Sequence, residues 1–457
     1  MSAPDALAES LMYPDTKRRA VASRSYRTKI SPNNGQNFTA GQVVNIDMPS
    51  NLAGTYVNWN QCYLKFKVTS TGAGRLDRCG AAGLISRVSC FTSGAQIFDL
   101  PNWNVLMTIL MDTDSSPAYK AGIGNVLMGT LGGVQAGESF TPVAPATTST
   151  RTFCVPFALH PFAMSTPHRL MPLFSAAPVQ FKITLESIAL ATVGTISELN
   201  FTEVELVCIM TELSPGAQAQ VDQMSGGMYN ILASSYQNVG TTMVGVAGSA
   251  NTVTANLGLS VSSLERVIVC HRPTDTLVAL GYSLGNRTKN FLSEYSILIN
   301  GEMFPARSIV VENKGAEALA EYLLSDHSLV NFDKQSSFNI AVRGTTAELK
   351  SNGLDGQSVN GILEPFKNDD PAGLEAGTTT GAISNIGSFI TAVELETGLS
   401  DGKSQRIYSG VSTVGSTVSF RGVYAAGSAN AQIDFFAMFT VLLSLNMRGT
   451  GVWAISV

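Results

Sequence analysis

Charge is the scarcest ingredient of this 457-residue chain: Asp, Glu, Lys and Arg make up 14% of it, against about 25% in an ordinary soluble protein. A surface so poor in charge either stays wet through Ser, Thr, Asn and Gln or is covered by other subunits. The net charge of −5 argues against a protein built around a basic nucleic-acid face. Paired cysteines are lacking too. The six, at 62, 79, 90, 154, 208 and 270, are scattered with no CxxC. Cys62, Cys90, Cys154, Cys208 and Cys270 sit in apolar or strand-like runs, where cysteine acts as a small buried hydrophobe. A reduced, intracellular folding environment is expected, and the sequons at Asn37, Asn200 and Asn286 then carry no glycan. The longest apolar run, Phe435 to Leu445, is 11 residues, short of the ~20 a membrane span needs. Residues 1–16 carry Asp5, Glu9 and Asp15 and lack an apolar stretch, so neither a secretion signal nor a membrane anchor is expected and the chain reads as soluble.

Catalytic patterns are missing as well. Of four histidines, His160, His168, His271 and His327, none forms HxH, HExxH or another close metal-binding pair. His160 and His168 flank Pro161, Phe162 and Pro167 and read as structural loop residues. The chain has no GxSxG, no phosphate loop and no GxGxxG. Asp112/Asp114 and Asp369-Asp370 are acid pairs in or beside polar stretches, without the cleft that would drive two carboxyl pKa values apart, and read as turn formers. Aromatics are scattered along strands, so no base-stacking platform is indicated. No catalytic residue, cofactor site or metal site is expected.

Alternation is abundant. Cys62, Leu64, Phe66 and Val68 alternate with Tyr63, Lys65 and Lys67, and Val179, Phe181, Ile183 and Leu185 alternate with Gln180, Lys182, Thr184 and Glu186. Val204, Leu206 and Cys208 alternate with Glu203, Glu205 and Val207, and Phe338, Ile340 and Val342 repeat the pattern. Each reads as a strand with one buried and one solvated face. Many such strands separated by Gly, Pro and Asn turns predict β-sandwiches. Helical spacing is confined to Asn102–Asp112, Ala316–Ser325 and a weak segment near the N-terminus. The apolar stripe of the first helix is expected to pack on its own sandwich.

One build occurs twice. Cys90 to Phe98 is strand, Gly94-centred turn and strand, followed by Pro101 and the first helix; Ser296 to Phe304 is strand, Gly301-centred turn and strand, followed by Pro305 and the second. Long stretches rich in Gly, Thr, Ser, Ala and Pro follow each helix, at 114–150 and 344–386, and such loops are usually functional or mobile. A boundary is expected at Leu213–Asp222. The predicted division is a basic arm over 1–29, a first sandwich over 30–213, a linker over 214–224 and a second sandwich over 225–457. The arm carries Lys17, Arg18, Arg19, Arg24, Arg27 and Lys29 with no acid among them. It reads either as a flexible segment that finds an acidic partner or as a solvated tail.

Taken in order, these segments resemble the double jelly-roll major capsid proteins of polinton-like viruses, virophages and related double-stranded DNA viruses. Pro32 to Ser50 is similar to that family's first strand, Gln61-Cys-Tyr-Leu-Lys-Phe-Lys-Val68 to its "SYLKF" strand, and Gly83 through Gly94 to Asn104-Val-Leu106 to its strand–turn–helix ending in "YNVL". Ile299-Asn-Gly-Glu-Met-Phe-Pro-Ala-Arg307 resembles "NGQxYPxRP", although the proline usual after Arg307 is absent. The chain is also short for a eukaryotic member, which argues against large surface towers. The resemblance implies an all-β fold of two tandem eight-stranded jelly rolls, each with a short helix insertion. Three chains would form a pseudo-hexagonal homotrimer that tiles an icosahedral shell around double-stranded DNA. The implied partners are other copies, in the trimer and between capsomers, together with penton proteins, minor capsid proteins and internal membrane lipid, without sequence-specific nucleic-acid binding. The chain would be made and assembled inside a host cell and reside in the virion, with the six basic residues contacting neighbours or lipid headgroups. A tandem jelly-roll binding module, lectin-like or a spike or minor capsid protein, is the alternative, and it would run as a monomer. A cupin-type enzyme is a third reading that bound metal would favour.

Overall fold

The computed structural model describes residues 22–76, 79–116, 119, 122–130, 148–165, 168–246, 248–274, 287–311, 316–326, 386–387, 389–396 and 410–457. It contains four main antiparallel sheets in two pairs. In the first pair, one sheet runs in the order Ser23–Ile30, Thr192–Leu213, Thr55–Leu76, Thr148–Pro156; the other runs Val43–Asp47, Val179–Leu185, Ile85–Thr92, Ala95–Pro101. In the second pair the orders are Met228–Met243, Ala431–Asn446, Leu264–Pro273, Thr391–Glu394, and Asn251–Asn256, Val418–Tyr424, Leu292–Ile299, Glu302–Val310. Taken by chain position, the two pairs share one topology: first, eighth, third and sixth strands in one sheet, and second, seventh, fourth and fifth in the other. That is the jelly-roll order, used twice.

The period-two strands behave as their alternation requires. Val179–Leu185 buries every second residue, and Cys62, Leu64, Phe66 and Val68 are all at most 5% exposed. The duplicated hairpins match down to backbone angles. Ser93 (φ 47°) and Gly94 (φ 83°) turn the first; Asn300 (φ 52°) and Gly301 (φ 85°) turn the second. Two consecutive residues at positive φ make the turn whose twist suits antiparallel strands, which is why glycine stands second in each. In both rolls the fifth strand then leads to a helix, Trp103–Asp114 and Ala316–Ser325, before the sixth strand pairs with the third. The two helices therefore occupy equivalent places. Buried apolar side chains of the two rolls merge into one contiguous cluster.

Several expectations change. The segment read as the end of a free arm is a strand from Ser23 onward, paired residue for residue with Thr192–Leu213 from Ser23 opposite Leu213 to Ile30 opposite Leu206. The linker expected at 214–224 is a helix, Pro215–Ser225, capped by the Ser214 hydroxyl, which accepts from the Ala217 N–H, with Pro215 pre-set for the first turn. The 114–150 stretch contains a short helix, Ile123–Met128. The weak N-terminal helix signal, the strand at Phe338–Val342 and nearly all of 344–386 lie outside the described residues. Among the described residues no helix is long and apolar enough to cross a membrane.

Candidate functional site: the seam between the rolls

The helix Trp103–Asp114 buries nearly its whole circumference: Trp103, Val105, Leu106 and Ile109 are fully enclosed, and Asn104, Thr108 and Asp112 are buried with them. A helix buried all round must have protein on every side, and the second roll supplies the far side. The stripe packs on its own sandwich as expected, but the remaining face is not solvated. The Asp112 carboxylate is ion-paired to Arg287 of the second roll, whose guanidinium is fully buried. One residue on, the Tyr322 hydroxyl from the equivalent helix of the second roll lies 3.2 Å from the Thr113 hydroxyl. The acid pair read as turn formers is thus helical, and its first member belongs to the seam.

Two further polar clusters cross or brace this boundary. Asn102 Nδ2, at the entrance to the first helix, donates to Asn238 Oδ1 (3.1 Å) and to Asp434 Oδ1 (3.2 Å). The other Asp434 oxygen accepts from Arg272 Nε at 2.6 Å, and Asp434 is fully buried. Deeper in the second roll, Arg266 Nη2 donates to the Tyr236 hydroxyl (2.7 Å) and Nη1 to the Ser325 carbonyl (3.0 Å). Burial pushes the Tyr236 phenol above its usual range, partly offset by Arg266. Aromatic contacts continue the seam: Phe162 meets Trp453 edge-on at 5.2 Å between ring centroids, and Phe174 meets Tyr229 at 4.9 Å. The main chain also crosses, with Ala176 N–H donating to the Gly451 carbonyl at 2.7 Å and Ser234 N–H to the Met164 carbonyl at 3.2 Å. The connecting helix is tied back to the first roll, where the Tyr56 hydroxyl donates to Gln218 at 2.8 Å.

Apolar faces can slide over one another at little cost, whereas buried ion pairs and hydrogen bonds satisfy their partners at one relative placement. The seam therefore holds the rolls side by side in a single register. Sequence reading missed it, because Asp112 and Arg287, or Asn102 and Asp434, are far apart in the chain and no local spacing joins them. The one available signal was a carboxylate placed on an otherwise apolar helical face.

Of the six basic residues, the structure describes three. Lys17, Arg18 and Arg19 lie outside the described residues. Arg24 is ion-paired to Glu212 (2.7 Å) and Lys29 to Glu205 (2.9 Å), both on the neighbouring strand, while Arg27 is exposed on the same strand. Lys65 reaches Glu205 (3.3 Å) from the opposite side, and these two lysines hold the Glu205 carboxyl below its usual range, Lys29 foremost. Of the histidines, His160 is enclosed by Trp59, Phe157 and Phe181 at 4.6, 5.1 and 5.2 Å between centroids. His271 shares a 2.7 Å hydrogen bond with the Tyr424 hydroxyl. Burial lowers both imidazoles to about 3. His168 is exposed, and His327 and Asp369-Asp370 lie outside the described residues.

No family model matches the chain, and no curated protein matches it. Solved structures do. VP54 of PBCV-1, in a structure fitted into a reconstruction of the virophage Sputnik, superposes with a TM-score of 0.58 at 11% identity, covering 97% of this chain and 99% of that one. The Faustovirus major capsid protein gives 0.55 at 9% identity over 94% and 92%. The mavirus major capsid protein gives 0.50 at 11% identity over 100% and 96%. Strand order, matched helix insertions and end-to-end superposition agree: the chain has the double jelly-roll fold found in viral major capsid proteins.

Proposed function

We propose that this chain is the major capsid protein of an icosahedral double-stranded DNA virus, acting as a structural subunit without catalysis. The observation that carries the reading is the seam: two rolls of identical topology are held side by side as one rigid block. Three such blocks around a three-fold axis present six rolls and a near-hexagonal outline, which tiles a closed shell where a single roll would give a triangle. In this reading the first roll spans 30–213 with the strand from Ser23 added to it, the helix within 214–224 connects, and 225–457 form the second roll. The low overall charge fits a surface largely covered by neighbours. Lys17, Arg18, Arg19 and the exposed Arg27 would contact a neighbouring capsomer, a penton or minor capsid protein, or acidic lipid under the shell, whereas Arg24 and Lys29 pair with carboxylates of their own sheet.

The test is the mass and outline of the purified chain. Light scattering should give three times the chain mass, and negative-stain images should show hexagonal particles. A monodisperse monomer at micromolar concentration would sink the reading. It would favour a tandem binding module, although two beads built for independent binding have no use for a buried polar seam.

A further inference from the structure

In the first roll, the pairing of Thr55–Leu76 with Thr192–Leu213 sets Lys65 opposite Glu205, Leu64 opposite Leu206 and Tyr63 opposite Val207. Cys62 and Cys208 are the residues next to that last regular pair, Tyr63 and Val207, at the point where pairing breaks and resumes only at Asn58 opposite Ile209. The two sulfurs are within hydrogen-bonding reach of each other, as thiols that close to a disulfide must be, and the Cα atoms of such a bond lie roughly 4.4–6.8 Å apart. Both side chains point to the same buried face, Cys62 with 5% exposure and Cys208 with none. Both are free thiols. The Cys62 thiol also donates to the Asn58 carbonyl at 3.2 Å, across the irregular turn of backbone that the register break creates.

We propose that Cys62 and Cys208 form an oxidisable dithiol that closes to an intramolecular disulfide, pinning the third strand of the first roll to the eighth, when the folded chain meets a peroxide. The two sulfurs are not equivalent. The Cys208 thiol donates a hydrogen bond to the Cys62 sulfur, which lowers the Cys62 pKa despite burial, with help from the Ile209 N–H; the same bond and burial raise that of Cys208. Cys62, which keeps 5% of its surface exposed while Cys208 keeps none, is the sulfur a peroxide reaches first, and Cys208 is the resolving one. The Cys62 thiolate displaces hydroxide from the peroxide oxygen, breaking the O–O bond to leave a sulfenic acid, and the hydroxide takes up the proton that the thiol released. The Cys208 sulfur then attacks the sulfenic sulfur; the S–O bond breaks, the S–S bond forms, and a second water leaves with the Cys208 proton. In sum, two thiols and one hydrogen peroxide give one disulfide and two waters. Under the capsid reading the bond would form after a particle leaves the reducing interior of a cell, but the chemistry does not depend on that reading.

The experiment treats the folded full-length chain with a small molar excess of hydrogen peroxide, blocks remaining thiols under denaturing conditions and maps peptides without reduction. Two of the six thiols should disappear together, a single linked pair containing Cys62 and Cys208 should be found, and dithiothreitol should restore both. In Cys208→Ala, dimedone should label Cys62, and no linked pair should form. The proposal is overturned if all six thiols survive, if Cys62 is over-oxidised without linkage, or if either cysteine pairs elsewhere. Should Cys208→Ala not fold, the wild-type peptide map still decides. The assay needs no assembly, so a negative result leaves the capsid reading standing, and a monomeric chain leaves the dithiol standing.

Discussion

Asp112 lies in the last turn of a helix of the first roll with its carboxylate against the buried guanidinium of Arg287 of the second. Removing one member of a buried pair strands the other, at a cost of about 3–5 kcal/mol, so Asp112→Ala should lower the denaturant midpoint by that equivalent, and Arg287→Met should do the same. Replacing both with apolar residues together should recover most of the loss, which a double-mutant cycle would read directly. The buried histidines set the acid response. Their folded pKa values of about 3 lie below the unfolded value of about 6.5, so the unfolded chain binds more protons and stability falls as pH drops from about 6.5 towards 3. Glu394 works the other way. Burial raises its carboxyl to about 7, so its contribution is fully present below the unfolded value and is lost as pH rises through about 7. Thermal unfolding between pH 4 and 8 should therefore peak in the weakly acidic to neutral range, and His160→Phe should flatten the acid limb while leaving the limb above pH 7 unchanged.

Among the elements, the two hairpins and the glycines around them separate backbone conformation from space. A Cβ at Gly94 or Gly301 would meet nothing within 4 Å, so alanine there suffers only the left-handed backbone, about 1–2 kcal/mol. At Gly80 (φ 63°) a Cβ would overlap the Met128 carbonyl, so Gly80→Ala should cost clearly more than either hairpin variant in the same melting assay. The N-terminal strand gives a second contrast. Deleting 1–30 removes a paired edge strand and should lower the melting temperature by several degrees relative to a deletion of 1–21, which keeps it. These elements also show what was legible beforehand. Strands with one dry face, such as Val179–Leu185, declare themselves by alternation, and glycine-centred hairpins by their turn residues, so the doubled build was visible. The strand Ser23–Ile30 was hidden because its side chains are mostly exposed and it is held through backbone pairing and the Arg24–Glu212 and Lys29–Glu205 contacts. The connecting helix was hidden for a like reason: it buries no residue, and its Ser-Pro start was read as part of a linker when it is a cap.

For the whole molecule, the duplication matters through the relation it imposes between the rolls. The paired helices meet at Thr113 and Tyr322, so the seam is built from the same insertion in both rolls. Asn102→Ala combined with Tyr322→Phe, which deletes cross-seam hydrogen bonds with little loss of volume, should leave each roll folded while loosening their relative placement. The expected sign is retained secondary structure by circular dichroism and, under the capsid reading, fewer regular hexagonal outlines in micrographs; unchanged outlines would show that apolar packing alone fixes the geometry. The seam also bears on how the chain is made. A ribosome releases the Asp112 helix long before it has built Arg287, so the first half emerges with a carboxylate and an apolar surface still waiting for a partner. Truncated products would keep that surface sticky and remain open to proteases and chaperones. Completion of the chain is what hides it, so under the capsid reading only full-length subunits would arrive at assembly with the seam closed.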